Sequence, residues 1–267
     1  MRVALVQMTS NDNLSENLDS ARCAVREAAE GGAEFIALPE NFAFLRREGN
    51  PIPCAQSLDG EIVETVCELA RQHRVPILAG TFAEAIEGSQ RVYNTSALIS
   101  ETGRIAAVYR KIHLFDVDLV DKQESYRESR SMYPGDELVT VDTPCGRIGL
   151  TICYDVRFPE MFRHLVDDGA TVFTVPAAFT ATTGKAHWHV LLRARAIENL
   201  AYVIAPGQYG HHPDDRATFG HSLICDPWGR ILAERAEGNG IVTADVDPEL
   251  AARLRSEFPA LSNRRLK

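Results

Sequence analysis

No apolar run in the 267 residues approaches the roughly 18 to 20 needed to cross a bilayer. The opening stretch, MRVALVQMTSND, turns polar after a few apolar residues, so the long apolar core and small-residue cleavage site of a secretory signal are missing from it. Positive charge is also short. Against 37 Asp and Glu there are 28 Lys and Arg, a formal net charge of -9, which argues against a general binder of nucleic acid or of an anionic membrane while leaving room for a locally basic pocket. Cysteine is sparse. The six residues Cys23, Cys54, Cys67, Cys145, Cys153 and Cys225 form no CxxC pair and are too few for a disulfide scaffold of this size. Together these absences indicate a reduced, cytoplasmic protein whose partners are neither nucleic acid nor membrane.

The hydrophobic content of 45% and charged content of 24% are those of an ordinary soluble globular chain, and the length suits one large α/β domain over residues 1–267. Short apolar runs alternate with segments of helical period, as when strands cross over through helices. RVALVQ reads as a strand; Leu14 to Ala29 reads as a helix with Leu14, Leu18, Ala21, Val25 and Ala28 on one face, stopped by Gly31 and Gly32. EFIALPE predicts the next strand, EIVETVCELARQH a helix and VPILAGTF a third strand, after which NTSALIS, an ETG turn and RIAAVYRK predict a hairpin.

The same order recurs later with residue-level echoes. RVALVQM (2–8) matches RIGLTIC (147–153), GAEFIALPENF (32–42) matches GATVFTVPAAF (169–179), and SALISETGRI (96–105) matches SLICDPWGRI (222–231). Two similar halves would pack as one sandwich of two sheets with helices outside. The echo fails at two informative places: Glu40 after Pro39 is answered by Ala177 after Pro176, and Cys153 is answered by Met8. If the halves share a backbone, such unmatched residues serve chemistry rather than fold.

A free cysteine is usually a buried small hydrophobe, and local sequence alone assigns Cys153 that role. A nucleophilic thiol needs a base or a positive field, and a donor for the charge that develops on the attacked carbonyl. Glu40, Lys111 and Cys153 each stand at the end of a predicted strand, where reactive groups of α/β sheets converge. Burial of such a set is expected to tune their pKa values toward neutrality.

In the motifs LPENF, YRKIHLF and ICYDVRFPE, which carry Glu40, Lys111 and Cys153 in that order, the chain resembles the nitrilase, or carbon-nitrogen hydrolase, superfamily over nearly its whole length. The resemblance implies a four-layer αββα sandwich of two mixed sheets with an internal pseudo-two-fold repeat, assembled as a homodimer or higher oligomer through helical faces. It implies that Glu40 takes the thiol proton and later activates water. Cys153 would attack an amide carbon, giving a thioester after ammonia leaves, while Lys111 and the Tyr154 N–H hold the oxyanion. Glu128, in YRESRSMYPG, would position Lys111 and substrate. Cys153-Tyr154-Asp155 looks like the amidase branches rather than the nitrile-cleaving ones, and CYDVRFPE, PAAFTATTGKAHWHVLLRARAIEN and GHS look most like the Nit branch, whose amidases act on amides of α-keto acids. Deaminated glutathione and ω-amides are the branch's substrates; an N-carbamoyl amide hydrolase would use the same residues, and an idle scaffold would have been free to lose them. A small amide carrying a carboxylate calls for a cation in the pocket. Arg157 is the candidate, alternatively an ion-pair partner of Asp155 or Glu160, and Phe179 and Thr180 are expected to line the same mouth.

Three further features read as structural. The HWH segment (His187, His189) has no acidic or cysteine ligand at recognisable spacing, so it reads as a helix carrying two histidines; no metal or other cofactor is expected. Asn94-Thr95-Ser96 is formally a glycosylation triplet, without meaning for a protein expected in the cytoplasm. The loops 42–57 and 116–130 are expected to set the depth of the pocket.

Overall fold

The computed structural model describes residues 1–47, 50–119 and 124–266. Its strands are β1 (Arg2–Gln7), β2 (Phe35–Ala37), β3 (Ile77–Leu78), β4 (Phe82–Ala85), β5 (Val92–Ile99), β6 (Ile105–Arg110), β7 (Asp116–Leu119), β8 (Glu124–Arg127), β9 (Met132–Tyr133), β10 (Thr140–Thr143), β11 (Gly146–Leu150), β12 (Val172–Thr174), β13 (Tyr202–Ala205), β14 (Tyr209–His211), β15 (Ala217–Phe219), β16 (Ser222–Cys225), β17 (Ile231–Arg235) and β18 (Gly240–Asp245). The helices are α1 (Leu14–Glu30), α2 (Glu61–His73), α3 (Pro159–Asp167), α4 (Ala181–Asn199) and α5 (Leu250–Glu257).

Two sheets carry the fold. The first runs β18-β1-β2-β3-β5, with β4, β6 and β9 also pairing with β5; the second runs β10-β11-β12-β13-β16-β17. Both repeat one series: an antiparallel edge strand, three parallel strands, then an antiparallel hairpin. The echoed segments occupy equal places, β1 with β11, β2 with β12, and β5–β6 with β16–β17. Even the hairpin irregularities coincide, at Leu98/Ile99 in one half and Ile224/Cys225 in the other. The edge strand of the first sheet is supplied by β18, from the far end of the chain.

Strand period 2 separates the layers. Val3 and Leu5 of β1 join a core that includes Ile148, Leu150, Phe173 and Ile224 of the second sheet, whereas Ala4 and Val6 join a core with Leu18, Val25, Val63 and Val66 of α1 and α2. α3 and α4 pack on each other and on β11 and β13. The result is the αββα sandwich, and because β1, β2, β11, β12 and β13 are covered on both faces, they read as continuous apolar runs rather than alternating ones.

Helix boundaries follow local chemistry. Asn13 caps α1 by accepting from the Glu16 N–H, and the chain leaves the helix through Gly31 and Gly32, the latter at φ +80°. VPILAGTF differs from expectation: it forms two strands, β3 and β4, broken at Gly80. There φ is +42°, and a Cβ would stand 2.0 Å from the Pro39 carbonyl oxygen, so only glycine fits. The break lets Thr81 bind the turn after β2, its Oγ1 accepting from the Asn41 N–H at 2.8 Å. That turn carries Glu40.

Candidate active site

Glu40 stands three residues beyond β2, buried, with every carboxylate oxygen engaged. Oε1 accepts from Lys111 Nζ at 3.1 Å and from Asn94 Nδ2 at 2.9 Å, and Oε2 accepts from the Ala178 N–H at 2.7 Å. The second half therefore answers the missing carboxylate of its echo, Ala177, with a backbone donor one residue later. Lys111, just after β6, is 2% exposed and lies between two carboxylates, with Glu128 Oε2 at 2.9 Å and Oε1 at 3.1 Å. Glu128 opens a single 3-10 turn after β8 and also accepts from the Phe115 N–H at 2.6 Å.

Cys153 follows β11 and begins a 3-10 turn, Cys153–Arg157, at φ +47°. A non-glycine residue held in the left-handed region costs on the order of 1 kcal/mol or more and persists only where its surroundings over-determine it. They do so here. The Cys153 N–H donates to the Pro176 carbonyl at 3.0 Å. Asp155, fully buried, accepts from the Ile152 N–H at 2.8 Å, the Tyr109 hydroxyl at 2.7 Å and the His113 N–H at 3.1 Å, and pairs with His113 Nδ1 at 2.7 Å. Asp155 thus ties the cysteine turn to both sides of Lys111.

Burial by itself would push the Glu40 carboxyl up, but the Lys111 ammonium and hydrogen bonds from the Cys153 thiol, the Ala178 N–H and Lys111 outweigh it, holding Glu40 below the usual carboxylate value. Burial and the Glu40 charge push the Cys153 thiol well above its ordinary value. Burial opposes the Lys111 charge, yet the negative charges of Glu128 and Glu40 hold its pKa well above the usual lysine value. The expected drift toward neutrality is thus reversed. The pKa values are driven apart, and the resting cluster is carboxylate, ammonium and neutral thiol.

These groups line a cleft of about 790 Å³, its open mouth included. Glu40, Lys111, Glu128, Cys153, Tyr154, Phe179 and Thr180 all line it. Thr180 also caps α4, and Phe179 is wedged against Trp188 with ring centroids 4.9 Å apart. Arg157 is placed differently. It is not among the lining residues; its guanidinium stacks over Phe179 at 5.0 Å and approaches His187 Nδ1 at 3.2 Å. Nor does it pair with Asp155, whose oxygens are spent on Tyr109, His113 and Ile152.

Sequence reasoning missed the cleft's own cations, Arg46, Arg127 and Arg216. The loops expected to set pocket depth do supply wall residues, Phe44, Leu45, Arg46 and Ile52 from one and Tyr126, Arg127 and Glu128 from the other; their residues 48–49 and 120–123 lie outside the described residues. It also missed Asn94, buried in β5, whose Nδ2 donates to both Glu40 and Glu128, the latter at 3.2 Å. The signal was present: two residues upstream of the matched Ser96 and Ser222, Asn94 is answered by Gly220, another failure of the echo. The two histidines of HWH part company, His187 toward Arg157 and His189 toward Glu234 and His221.

A family model described as carbon-nitrogen hydrolase matches residues 2–256. The chain belongs to the carbon-nitrogen hydrolase family. This hydrolase is 45% identical over 98% of its length to a deaminated glutathione amidase of Synechocystis, 97% of which is covered. Among solved structures it is similar to the C. elegans NitFhit protein, with 37% identity and a TM-score of 0.90 over 99% of this chain and 65% of that longer one. It is likewise similar to Saccharomyces cerevisiae Nit3, a member of branch 10 of the nitrilase superfamily, with 30% identity and a TM-score of 0.87 over 100% of this chain and 97% of that one. The hydrolase is therefore an amidase of the nitrilase superfamily with the superfamily's αββα fold. No helix among its described residues is long and apolar enough to cross a membrane.

Proposed function

We propose that the protein hydrolyses a small amide of an α-keto acid, deaminated glutathione first among them, through a thioester on Cys153. The observation that carries the reading is the Glu40–Lys111–Glu128 cluster, whose Glu40 and Lys111 are buried, lining one cleft together with the Cys153 thiol and with arginines on its wall. Glu40 takes the thiol proton as sulfur bonds to the amide carbon. The oxyanion is met by the buried Lys111 Nζ and by the Tyr154 N–H at the start of the Cys153 turn. On collapse the C–N bond breaks, and Glu40 returns the proton to the departing nitrogen. Water then gives a proton to Glu40 and attacks the thioester, and the sulfur leaves as thiol.

In deaminated glutathione the cleaved nitrogen belongs to a dipeptide, so the leaving group is that peptide's amine; ammonia leaves only from a primary amide such as α-ketoglutaramate. Such substrates carry carboxylates. Arg46, Arg127 and Arg216 are arginines on the cleft wall, Arg127 being held by Asp118, and with Arg157, which lies over the wall residue Phe179, they are the candidates to anchor the substrate carboxylate.

The test is a panel of deaminated glutathione, α-ketoglutaramate, simple aliphatic amides and a carbamoyl amino acid, read as keto acid, amine, ammonia and carbon dioxide. Deaminated glutathione should turn over fastest, with the aliphatic amides slower by at least tenfold. Fastest turnover of α-ketoglutaramate would make the protein an ω-amidase, and carbon dioxide together with ammonia would make it a carbamoyl hydrolase.

Residues 1–267 are read as a single domain, since the two sheets share one core. A reducing, cytoplasmic setting accords with six free cysteines. Self-association is expected through the outer face of α4, where Val190 and Ile197, seven residues apart on one helix face, are exposed and Ile197 lies beside Gly229, next in the chain to the exposed Trp228. Sedimentation should show a dimer or higher species.

A further inference from the structure

Away from the cleft, a second cluster gathers from three elements. His189 lies in the middle of α4, His221 just before β16 and Glu234 on β17. Glu234 Oε1 lies 2.7 Å from His189 Nε2 and 2.5 Å from His221 Nδ1, and one ligand atom from each residue lies within 4.8 Å of the others. Among the described residues this is the one group of three metal-ligating side chains so disposed.

The convergence is held from outside. His221 has φ +52°, a left-handed conformation uncommon for a non-glycine residue. Its carbonyl accepts from Trp188 Nε1 at 2.9 Å, its N–H donates to the Ala236 carbonyl at 3.2 Å, and its ring stacks on Phe219 at 4.0 Å and 21°. His189 meets the same Phe219 edge-on at 88° and lies 78° from the His221 ring at 4.9 Å. Both imidazoles are thereby aimed at one carboxylate oxygen. A simple hydrogen-bonded clamp between α4 and β17 is complete with one histidine. The second, brought in on a strained backbone, adds nothing to such a clamp but completes a set of two nitrogens and one oxygen.

We propose that His189, His221 and Glu234 form a surface site for a divalent transition-metal ion of the zinc, cobalt or nickel type. Imidazole and carboxylate ligands select these ions over magnesium or calcium, which prefer an all-oxygen set. Bond lengths of about 2.0–2.2 Å to nitrogen and oxygen imply donor separations of roughly 3.0–3.5 Å, so the carboxylate has to recede from the two imidazoles by less than about 1 Å and the imidazole nitrogens, within 4.8 Å of each other, have to close to the same range. The side chains are 32%, 23% and 28% exposed, which leaves the remaining coordination positions to water. The spacing from His189 to His221 and on to Glu234 fits no short motif, which is why HWH alone did not announce a site.

The test uses full-length, untagged protein stripped with chelator, titrated with Co²⁺ and followed by calorimetry and by the visible d–d absorption of the bound ion. One ion per chain is expected, displaced by Zn²⁺ and indifferent to excess Mg²⁺. His189→Gln and Glu234→Gln, each checked for an unchanged circular dichroism spectrum, should weaken binding at least tenfold, whereas Cys153→Ala should leave it unaltered. The proposal is overturned if neither Co²⁺ nor Zn²⁺ binds below millimolar concentration. It is equally overturned if binding survives both substitutions, or disappears with Cys153→Ala, which would place the ion on the catalytic thiol.

Discussion

Asn94 shows how a single neutral side chain sets the charge state of the site. Its Nδ2 is shared by Glu40 and Glu128, so two carboxylates sit beside one lysine without a third charge. Asn94→Asp would add a like charge and remove a donor, and both changes favour the protonated form of Glu40. The acid limb of kcat/KM should move up by about one pH unit or more. An unmoved limb would mean that Glu40 is not the group whose ionisation controls acylation. Lys111 is as closely bound to its surroundings. Lys111→Met leaves the buried Glu40 carboxylate and the half-buried Glu128 without their shared cation, and loss of one partner of a buried ion pair typically costs about 3–5 kcal/mol. Denaturant unfolding should register that loss alongside the lost activity. At this scale the carboxylate, the ammonium and the thiol that the fold brings together were legible in the motifs of Glu40, Lys111 and Cys153. The direction of their pKa shifts was not, because it depends on which hydrogen bonds Glu40 receives, and these come from β5, from the residue after β6 and from the loop after β12.

Among the elements, the decisive one is the turn from Cys153 to Arg157. Asp155 holds it by accepting from Tyr109, His113 and Ile152, which joins the end of β11 to the chain around Lys111. Asp155→Ala strands these buried donors, each worth about 1–3 kcal/mol when left unpaired. The expected loss is about 3 kcal/mol in urea unfolding, with activity falling further than stability because the positive φ of Cys153 is no longer enforced. A loss below about 0.5 kcal/mol would contradict the clamp. The elements themselves were largely readable. The face of α1, the bounds of α2 and the β5–β6 hairpin follow from period, caps and turn residues. What period does not carry is tertiary contact: β3 and β4 read as one apolar run, and only the approach of the Pro39 carbonyl to Gly80 divides them. Arg157 was singled out by its nearness to Cys153 in the chain, and it lies over the wall residue Phe179; Arg46, Arg127 and Arg216, which line the cleft, are far from Cys153 in sequence and carry no motif that marks them.

For the molecule as a whole, two repeated sheets bring their strand ends together, and the residues of the candidate site stand where the repeat is broken: Glu40 against Ala177, Cys153 against Met8, Asn94 against Gly220. The assembled cluster fixes the response to pH. Glu40, with its folded pKa lowered, contributes stability above the unfolded carboxylate value of about 4.3 that is lost as pH falls through the folded one. Cys153 and Lys111, with folded values raised, contribute stability that is whole below their unfolded values of about 8.5 and 10.4 and is lost as pH rises through the folded ones. Activity requires the same protonation states, so kcat/KM should be flat between about pH 5.5 and 8.5 for a substrate that does not itself titrate there. A limb with an apparent pKa near 6.5 or 7 would mean that the pKa values converge rather than separate.

The central claim is that amide hydrolysis runs through the Cys153 sulfur. Its most direct measurement is release of α-ketoglutarate from deaminated glutathione by the wild-type protein and by Cys153→Ala, both verified as folded. Removal of a covalent nucleophile is predicted to lower kcat by at least roughly 10³-fold; a Cys153→Ala protein turning over within tenfold of wild type would contradict the account.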